Sequence, residues 1–137
     1  MELVEDVFWV EGTQGCNVYL LRHHNECCVV DTGFLGSFGY IAAYVRYLGM
    51  PPRALTHVLI THTHATHIGA ARRLKEWSGA RLLGPAVTRL KLSSQVPTFD
   101  ETLTDGQVLA VGGINVFATP GHSPDSLSFW LPRRGVL

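Results

Sequence analysis

The sequence predicts a mixed α/β (α+β) fold: a mixed β-sheet with helices packed on one outer face, which is half of a layered design. Two observations predict its order. Strand-like stretches open and close the chain, and between them helical and strand-like periodicities alternate in a βαβα run. A third is composition. Hydrophobic residues make up 46% of the 137 residues and charged residues 16%, a core-forming balance in a length that suits one domain and not two.

The elements follow in order. Val7–Val10, Asn17–Arg22 and Cys27–Val30 are rich in β-branched and aromatic residues, and Gly and Asn separate them, as in antiparallel hairpins. Adjacent Cys27 and Cys28 then point to opposite faces of their strand. Phe38, Ile41, Tyr44, Val45 and Leu48 recur at helical spacing; Ser37 is placed to cap that helix, Gly49 to follow it and Pro51 to stop it. Thr56–Thr61 reads as a short buried strand. Ile68, Ala71 and Leu74 begin a second amphipathic helix that Gly79 ends, with Arg72, Arg73 and Lys75 on its wet face. Ala80–Leu83 is again a strand, and residues 85–92 form a short third helix with Pro85 in its first turn. Gln107–Val111 and Ile114–Thr119 flank Gly112-Gly113 as a hairpin with a two-residue turn. Leu127–Leu131 is a strand, Pro132–Gly135 a turn, and Val136–Leu137 the first step of a further strand. A strand that loses its neighbour leaves an unpaired edge. Residues 1–137 are therefore expected to be one partial domain whose C-terminal half lies beyond Leu137, and the edge would suit pairing with a second copy or a complementary half chain.

Charge and hydropathy exclude some functions. Eleven basic side chains balance eleven acidic ones, so no basic field draws nucleic acid or anionic lipid. No apolar run reaches the ~18–20 residues of a membrane span. The N-terminus carries Glu2, Glu5 and Asp6 and lacks the basic–apolar order of a signal peptide. A cytoplasmic protein acting on a small molecule is expected. Cys16, Cys27 and Cys28 are odd in number and two are adjacent, so they read as small apolar residues in a reducing compartment.

Four of the seven histidines point to chemistry. His62, His64 and His67 lie in ITHTHATHIGA, where a buried strand passes into a helix. Side chains at i and i+2 of an extended segment point the same way, so His62 and His64 approach one ion from one side, while His67 turns toward a neighbouring position. His122 lies in TPGHSPDS, whose Pro120, Gly121 and Pro124 tighten the loop. Three neutral imidazoles with an open fourth position make a catalytic zinc site. His23 and His24 read as solvated and His57 as structural. Asp31 closes an apolar strand in VVDTG, where a carboxylate is placed to orient a ligand histidine or its loop. Asp125 reads as a loop-forming residue.

VVDTG, ITHTHATHIGA and TPGHSPDS stand in the order and rough spacing of the metallo-β-lactamase superfamily, which the chain resembles along essentially its whole length. The resemblance implies one half of a four-layer αββα sandwich. It implies that His62, His64 and His122 hold the first metal and that His67 belongs to a second. The family's HxHxDH motif has an Asp where this chain has Thr66, and its bridging Asp and distal His fall beyond Leu137. A neutral hydroxyl is a poor replacement for that Asp, so one zinc ion is expected, with the second position impaired; iron or manganese are the alternatives. Thr66 would also serve as an N-cap for the helix near His67.

The implied activity is hydrolysis of an ester, thioester, lactone, lactam or phosphodiester by metal-bound hydroxide. The alternative is a catalytically impaired metal-binding or interaction module, on account of Thr66 and the missing ligands.

Overall fold

In the computed structural model, residues 1–86 and 96–137 are described. They form β1 (Glu2–Val4), β2 (Val7–Trp9), β3 (Tyr19–His23), β4 (Glu26–Val30), α1 (Phe38–Tyr47), β5 (Leu55–Leu59), α2 (Ala65–Ile68), α3 (Ala71–Ser78), β6 (Arg81–Pro85), β7 (Glu101–Leu103), β8 (Asn115–Ala118) and β9 (Leu127–Trp130). β1 to β7 make one seven-stranded sheet in sequence order. Its first half is antiparallel and its second half, from β4 onward, is parallel. Parallel neighbours need crossovers, and α1 and then α2–α3 supply the first two. β8 and β9 form a separate antiparallel pair.

Strand alternation sorts the apolar residues into two cores. Leu20, Cys27, Val29, Val58 and Leu82 face the helices, where they meet Ile41, Val45 and Leu74. Leu21, Cys28, Leu59, Leu83 and Leu103 face the other way and meet Ile114, Val116, Leu127 and Phe129 of the β8–β9 layer. The helices and the large sheet thus form the α and β layers of one half of the αββα sandwich, and the small β8–β9 sheet covers the large sheet's other face. The two adjacent cysteines go one to each core, as alternation requires.

Several local expectations are corrected. β1 and β7 are additional edge strands of three residues each, with no residue of β1 and only Leu103 of β7 buried. Gln107–Val111 is not a strand: Val108 makes a single bridge to Asn115, and the chain then turns through residues 110–113. Leu109 and Val111 are drawn into the second core instead. The helix expected over residues 85–92 falls mostly outside the described residues, and Pro85 is the last residue of β6. Ser37 occupies the cap position of α1 without capping it. Its hydroxyl accepts from the Gln14 N–H (3.0 Å) and donates to the Gln14 carbonyl (3.3 Å).

Thr66 is no N-cap either: α2 begins at Ala65 with His64 in the cap position, so Thr66 lies within the turn. The single helix expected from Ile68 is two, broken at Gly69-Ala70. At the break the Gly69 N–H donates to the Gly33 carbonyl (2.8 Å) and the Ala70 N–H to Thr32 Oγ1 (3.2 Å). A Cβ on Gly69 would sit 2.7 Å from Gly33 O, Leu35 N and Phe34 Cα, so α2 lies directly on the segment that follows β4. Among the described residues, no helix is long and apolar enough to cross a membrane.

Candidate metal centre

The segment that leaves β5 is extended, and alternation divides its side chains. His62 and His64 turn to one point. Their facing nitrogens, His62 Nε2 and His64 Nδ1, are 3.0 Å apart. His122 arrives from the loop between β8 and β9, and its Nε2 lies 3.1 Å from His64 Nδ1. Two nitrogens on one tetrahedral zinc, at ~2.0–2.1 Å bond lengths, stand roughly 3.3 Å apart. One nitrogen from each of the three rings lies within 4.8 Å of the others, so a small inward-to-outward adjustment would suit them to a single ion. His62 is buried, whereas His64 and His122 are exposed, which leaves the open side facing solvent.

Threonines of the same segment anchor it. The Thr61 N–H donates to Asp31 Oδ1 (2.9 Å) and the Thr61 hydroxyl to Asp31 Oδ2 (2.8 Å). That hydroxyl has one hydrogen, and the carboxylate can only accept. The 2.9 Å contact between Thr61 Oγ1 and His62 Nδ1 is therefore donated by His62. The chain Asp31–Thr61–His62 places the imidazole proton on Nδ1 and leaves the Nε2 lone pair toward the cluster. Thr63 mirrors this arrangement on the other side. Its N–H (3.1 Å) and hydroxyl (2.7 Å) both donate to Asp125 Oδ2. The Leu127 N–H donates to the Thr61 carbonyl (2.8 Å), and Thr119 N–H to Ser126 O (2.9 Å) closes the loop. Asp125 is thus the tether that docks the His122 loop onto the His62–His64 segment.

His67 stands apart from the three. Its Nδ1 donates to Asp31 Oδ2 at 2.9 Å, and its ring lies against that of His62, with centroids 4.0 Å apart. Its carbonyl accepts the Thr32 N–H and the Thr32 hydroxyl, both at 2.8 Å, so the VVDTG segment clamps α2 in place. Asp31 itself has a left-handed φ of 58°, a conformation that non-glycine residues seldom adopt. Burial, and then the neighbouring His67, hold the His62 pKa down to about 4, which keeps its imidazole neutral at physiological pH. Burial pushes His67 down as well, but hydrogen bonding to Asp31 and Cys16 outweighs it and sets its pKa at about 10.

A family model, the metallo-beta-lactamase superfamily, matches residues 12–137. The chain belongs to that superfamily. Among curated relatives it is similar to a hydroxyacylglutathione hydrolase of Methylobacterium sp. strain 4-46, 31% identical over 80% of this chain and 40% of the relative. A second, from Mesorhizobium japonicum, is 38% identical over 70% of this chain and 36% of its own length. The chain thus spans about 40% of the length of such relatives. Among solved structures, a Cronobacter sakazakii metallo-β-lactamase with a HARLDQ motif is 26% identical at a TM-score of 0.79, over 94% of this chain and 58% of that one. A subclass B3 metallo-β-lactamase of Bradyrhizobium japonicum gives 25% and 0.79, over 94% and 55%.

For this superfamily member the structure brings His62, His64 and His122 together, sets His67 beside them, and puts Asp31 behind both His62 and His67. His57, half-buried, contacts Thr56 Oγ1 at 2.9 Å, and the rings of His23 and His24 meet at a tilt at the β3–β4 turn, with centroids 4.3 Å apart. Sequence reasoning missed Thr61, Thr63 and the tethering role of Asp125. It also passed over Cys16, whose sulfur lies in a second group with Asp31 and His67. Thr61 and Thr63 were legible in principle, since they alternate with the histidines. Nothing local marked Cys16.

Proposed function

We propose that the chain carries the metal-holding part of a metallo-hydrolase, that His62, His64 and His122 hold one zinc ion, and that the bond cleaved is a thioester. The convergence of three imidazole nitrogens from two separate loops is the observation that carries this reading. Three imidazoles suit zinc better than the oxygen-preferring ions magnesium or manganese. Bound there, zinc would supply Lewis acidity and lower the pKa of water toward ~7. The names of the relatives, hydroxyacylglutathione hydrolases, favour a thioester among the bonds that such chemistry can cleave.

The roles of this chain's own residues follow from their contacts. Thr61 and Asp31 hold the His62 proton on Nδ1. Asp125 holds the His122 loop at its distance from His64. The exposed His64 and His122 border the side from which a substrate carbonyl would enter. Thr66 leaves the family's carboxylate position neutral, and this favours a second reading: a module that binds metal without turning over substrate.

The deciding experiment combines elemental analysis with a thioester hydrolysis assay on an acyl-glutathione. About one zinc per chain in this site is expected, lost in His64→Ala and in His122→Ala together with any hydrolysis. Zinc retained unchanged in both variants would overturn the site. Zinc lost from both variants, with no hydrolysis in the loaded parent chain, would transfer the function to the binding module.

A further inference from the structure

Cys16, Asp31 and His67 form a second group whose ligand atoms all lie within 4.8 Å of one another. They come from three parts of the chain: the loop between β2 and β3, the end of β4, and α2. Their assembly is built by close backbone approach. Gly15 has a φ of +98°, and a Cβ there would lie 2.9 Å from the Thr66 carbonyl. Only a glycine lets the loop carrying Cys16 press onto the α2 turn that carries His67. Gly69 and Thr32 hold the opposite side of that turn against the segment after Asp31. The three side chains are therefore fixed by packing that does not depend on any bound group.

We propose that Cys16, Asp31 and His67 form a second divalent-cation site, selective for a borderline-soft ion of the zinc class, which takes the place of the position that Thr66 leaves without its carboxylate. The donor set argues for it. One sulfur, one nitrogen and one carboxylate oxygen is a mixed soft set that favours zinc, cobalt or cadmium over magnesium or calcium. The thiolate and carboxylate together carry two negative charges, which neutralise a dication, whereas the three imidazoles of the first site carry none. The Asp31 carboxylate has capacity for it as well. Oδ1 keeps the Thr61 N–H, and Oδ2, which accepts from both the Thr61 hydroxyl and His67 Nδ1, keeps the hydroxyl and turns the lone pair that faces His67 to an ion. The ion replaces the proton shared by His67 Nδ1 and Asp31 Oδ2. That proton and the Cys16 thiol proton pass to solvent, so the site gains one dication for two protons. Neither Cys16 nor Asp31 belongs to the ligand set that the family motifs imply. The proposal does not rest on the three-imidazole reading, and its test separates the two.

The test is a cobalt(II) titration of the reduced, metal-free chain. A thiolate bound to cobalt gives a near-ultraviolet charge-transfer band, and imidazoles alone do not. The parent chain should develop that band and bind about two equivalents in all. Cys16→Ser should lose the band and one equivalent. His64→Ala should keep the band and lose the other equivalent, while Cys28→Ala should keep both. Cys27 and Cys28 are poor competitors, because burial first of all pushes the Cys27 thiol up to about 12 and the Cys28 thiol higher still. A parent chain without the band, or a band that survives in Cys16→Ser, overturns the proposal. A band that persists while His64→Ala changes nothing sinks the three-imidazole site and leaves this one standing.

A measurement on the unmutated chain covers the case in which Cys16→Ser does not fold. Zinc should slow alkylation of Cys16 by on the order of tenfold or more, with no comparable effect in magnesium. Equal alkylation rates with and without zinc overturn the proposal equally.

Discussion

Asp31→Asn isolates the carboxylate on which both the His62 segment and α2 hang. Asparagine keeps the shape and tolerates the left-handed φ of 58°, so the backbone has no reason to move. What changes is hydrogen bonding. The carboxylate accepts Thr61 N–H at 2.9 Å, Thr61 Oγ1–H at 2.8 Å and His67 Nδ1–H at 2.9 Å. An amide has one oxygen and one NH2. With the oxygen kept on the Thr61 N–H, the NH2 faces Thr61 Oγ1 and His67 Nδ1: the hydroxyl must turn its hydrogen elsewhere, and His67 must give up its Nδ1 proton, to accept from it. Charge-assisted bonds worth ~1.5–3 kcal/mol become neutral ones worth ~0.5–1.5 kcal/mol. Over the Thr61 hydroxyl and His67 together, the loss is about 2 kcal/mol. For a domain of this size that corresponds to a fall in Tm of roughly 6–10 °C.

The pH dependence has a definite sign. In the metal-free protein the folded pKa of His67 is raised to about 10, against about 6.5 for an unfolded histidine. The stabilisation it contributes is fully present below about pH 6.5 and is lost as pH rises through about 10. Asp31→Asn removes the main partner, so the stability gap between parent and variant should be wide near pH 6.5 and close toward pH 10. Urea denaturation followed by circular dichroism, in chelator at a series of pH values, measures the gap, and an NMR titration of the His67 imidazole checks the cause. A gap that is flat across this range, or smaller than ~0.5 kcal/mol near pH 6.5, would refute the reasoning.

Other perturbations test the packing and the tethers. Gly69→Ala places a methyl 2.7 Å from three backbone atoms that cannot rotate away; a loss of ~1–3 kcal/mol by thermal denaturation is expected, despite the better helix propensity of alanine. Leu59→Ala removes a fully buried side chain beneath the β8–β9 layer, and urea titration should show a loss of ~2–5 kcal/mol. Asp125→Ala frees Thr63 and the His122 loop; zinc affinity, measured by chelator competition, should fall roughly 10–100-fold. Thr66→Asp adds a carboxylate one residue before His67, and elemental analysis with the thioester assay should show tighter zinc retention or faster hydrolysis. No gain in either would mean that Thr66 is not what limits this chain.

What the sequence disclosed depended on range. Alternation is a local property, and it sorted Leu20 from Leu21 and Cys27 from Cys28 onto the correct faces of the sheet. The edge strands β1 and β7 escaped because they bury almost nothing: all three residues of β1 are exposed, and in β7 only Leu103 is buried. The break between α2 and α3 escaped for a different reason. The apolar spacing of Ile68, Ala71 and Leu74 is continuous, and only contact with Gly33, far away in the chain, shows why the helix is interrupted. Ser37 and Thr66 have the chemistry of caps, but tertiary partners or the position of the turn claimed them first.

The same distinction explains the site. THTH, residues 61–64, is an extended run that ends where α2 begins, and its alternate side chains diverge, so the period that sends His62 and His64 to one point also sends Thr61 and Thr63 elsewhere. The histidines drew notice because imidazoles ligate metals. The threonines carry equal structural weight, since each donates both its N–H and its hydroxyl to one carboxylate: Asp31 at the end of β4 and Asp125 in the His122 loop. Those carboxylates are 30 and 62 residues away from their threonines, and no local pattern discloses such a pairing. A histidine motif of this kind therefore needs its intervening residues to be read as hydrogen donors in search of acidic partners. In this chain the two partners are the acidic residues of VVDTG and TPGHSPDS. The three motifs are coupled by the threonine hydroxyls and amides, and the imidazoles meet because those bonds bring their loops together.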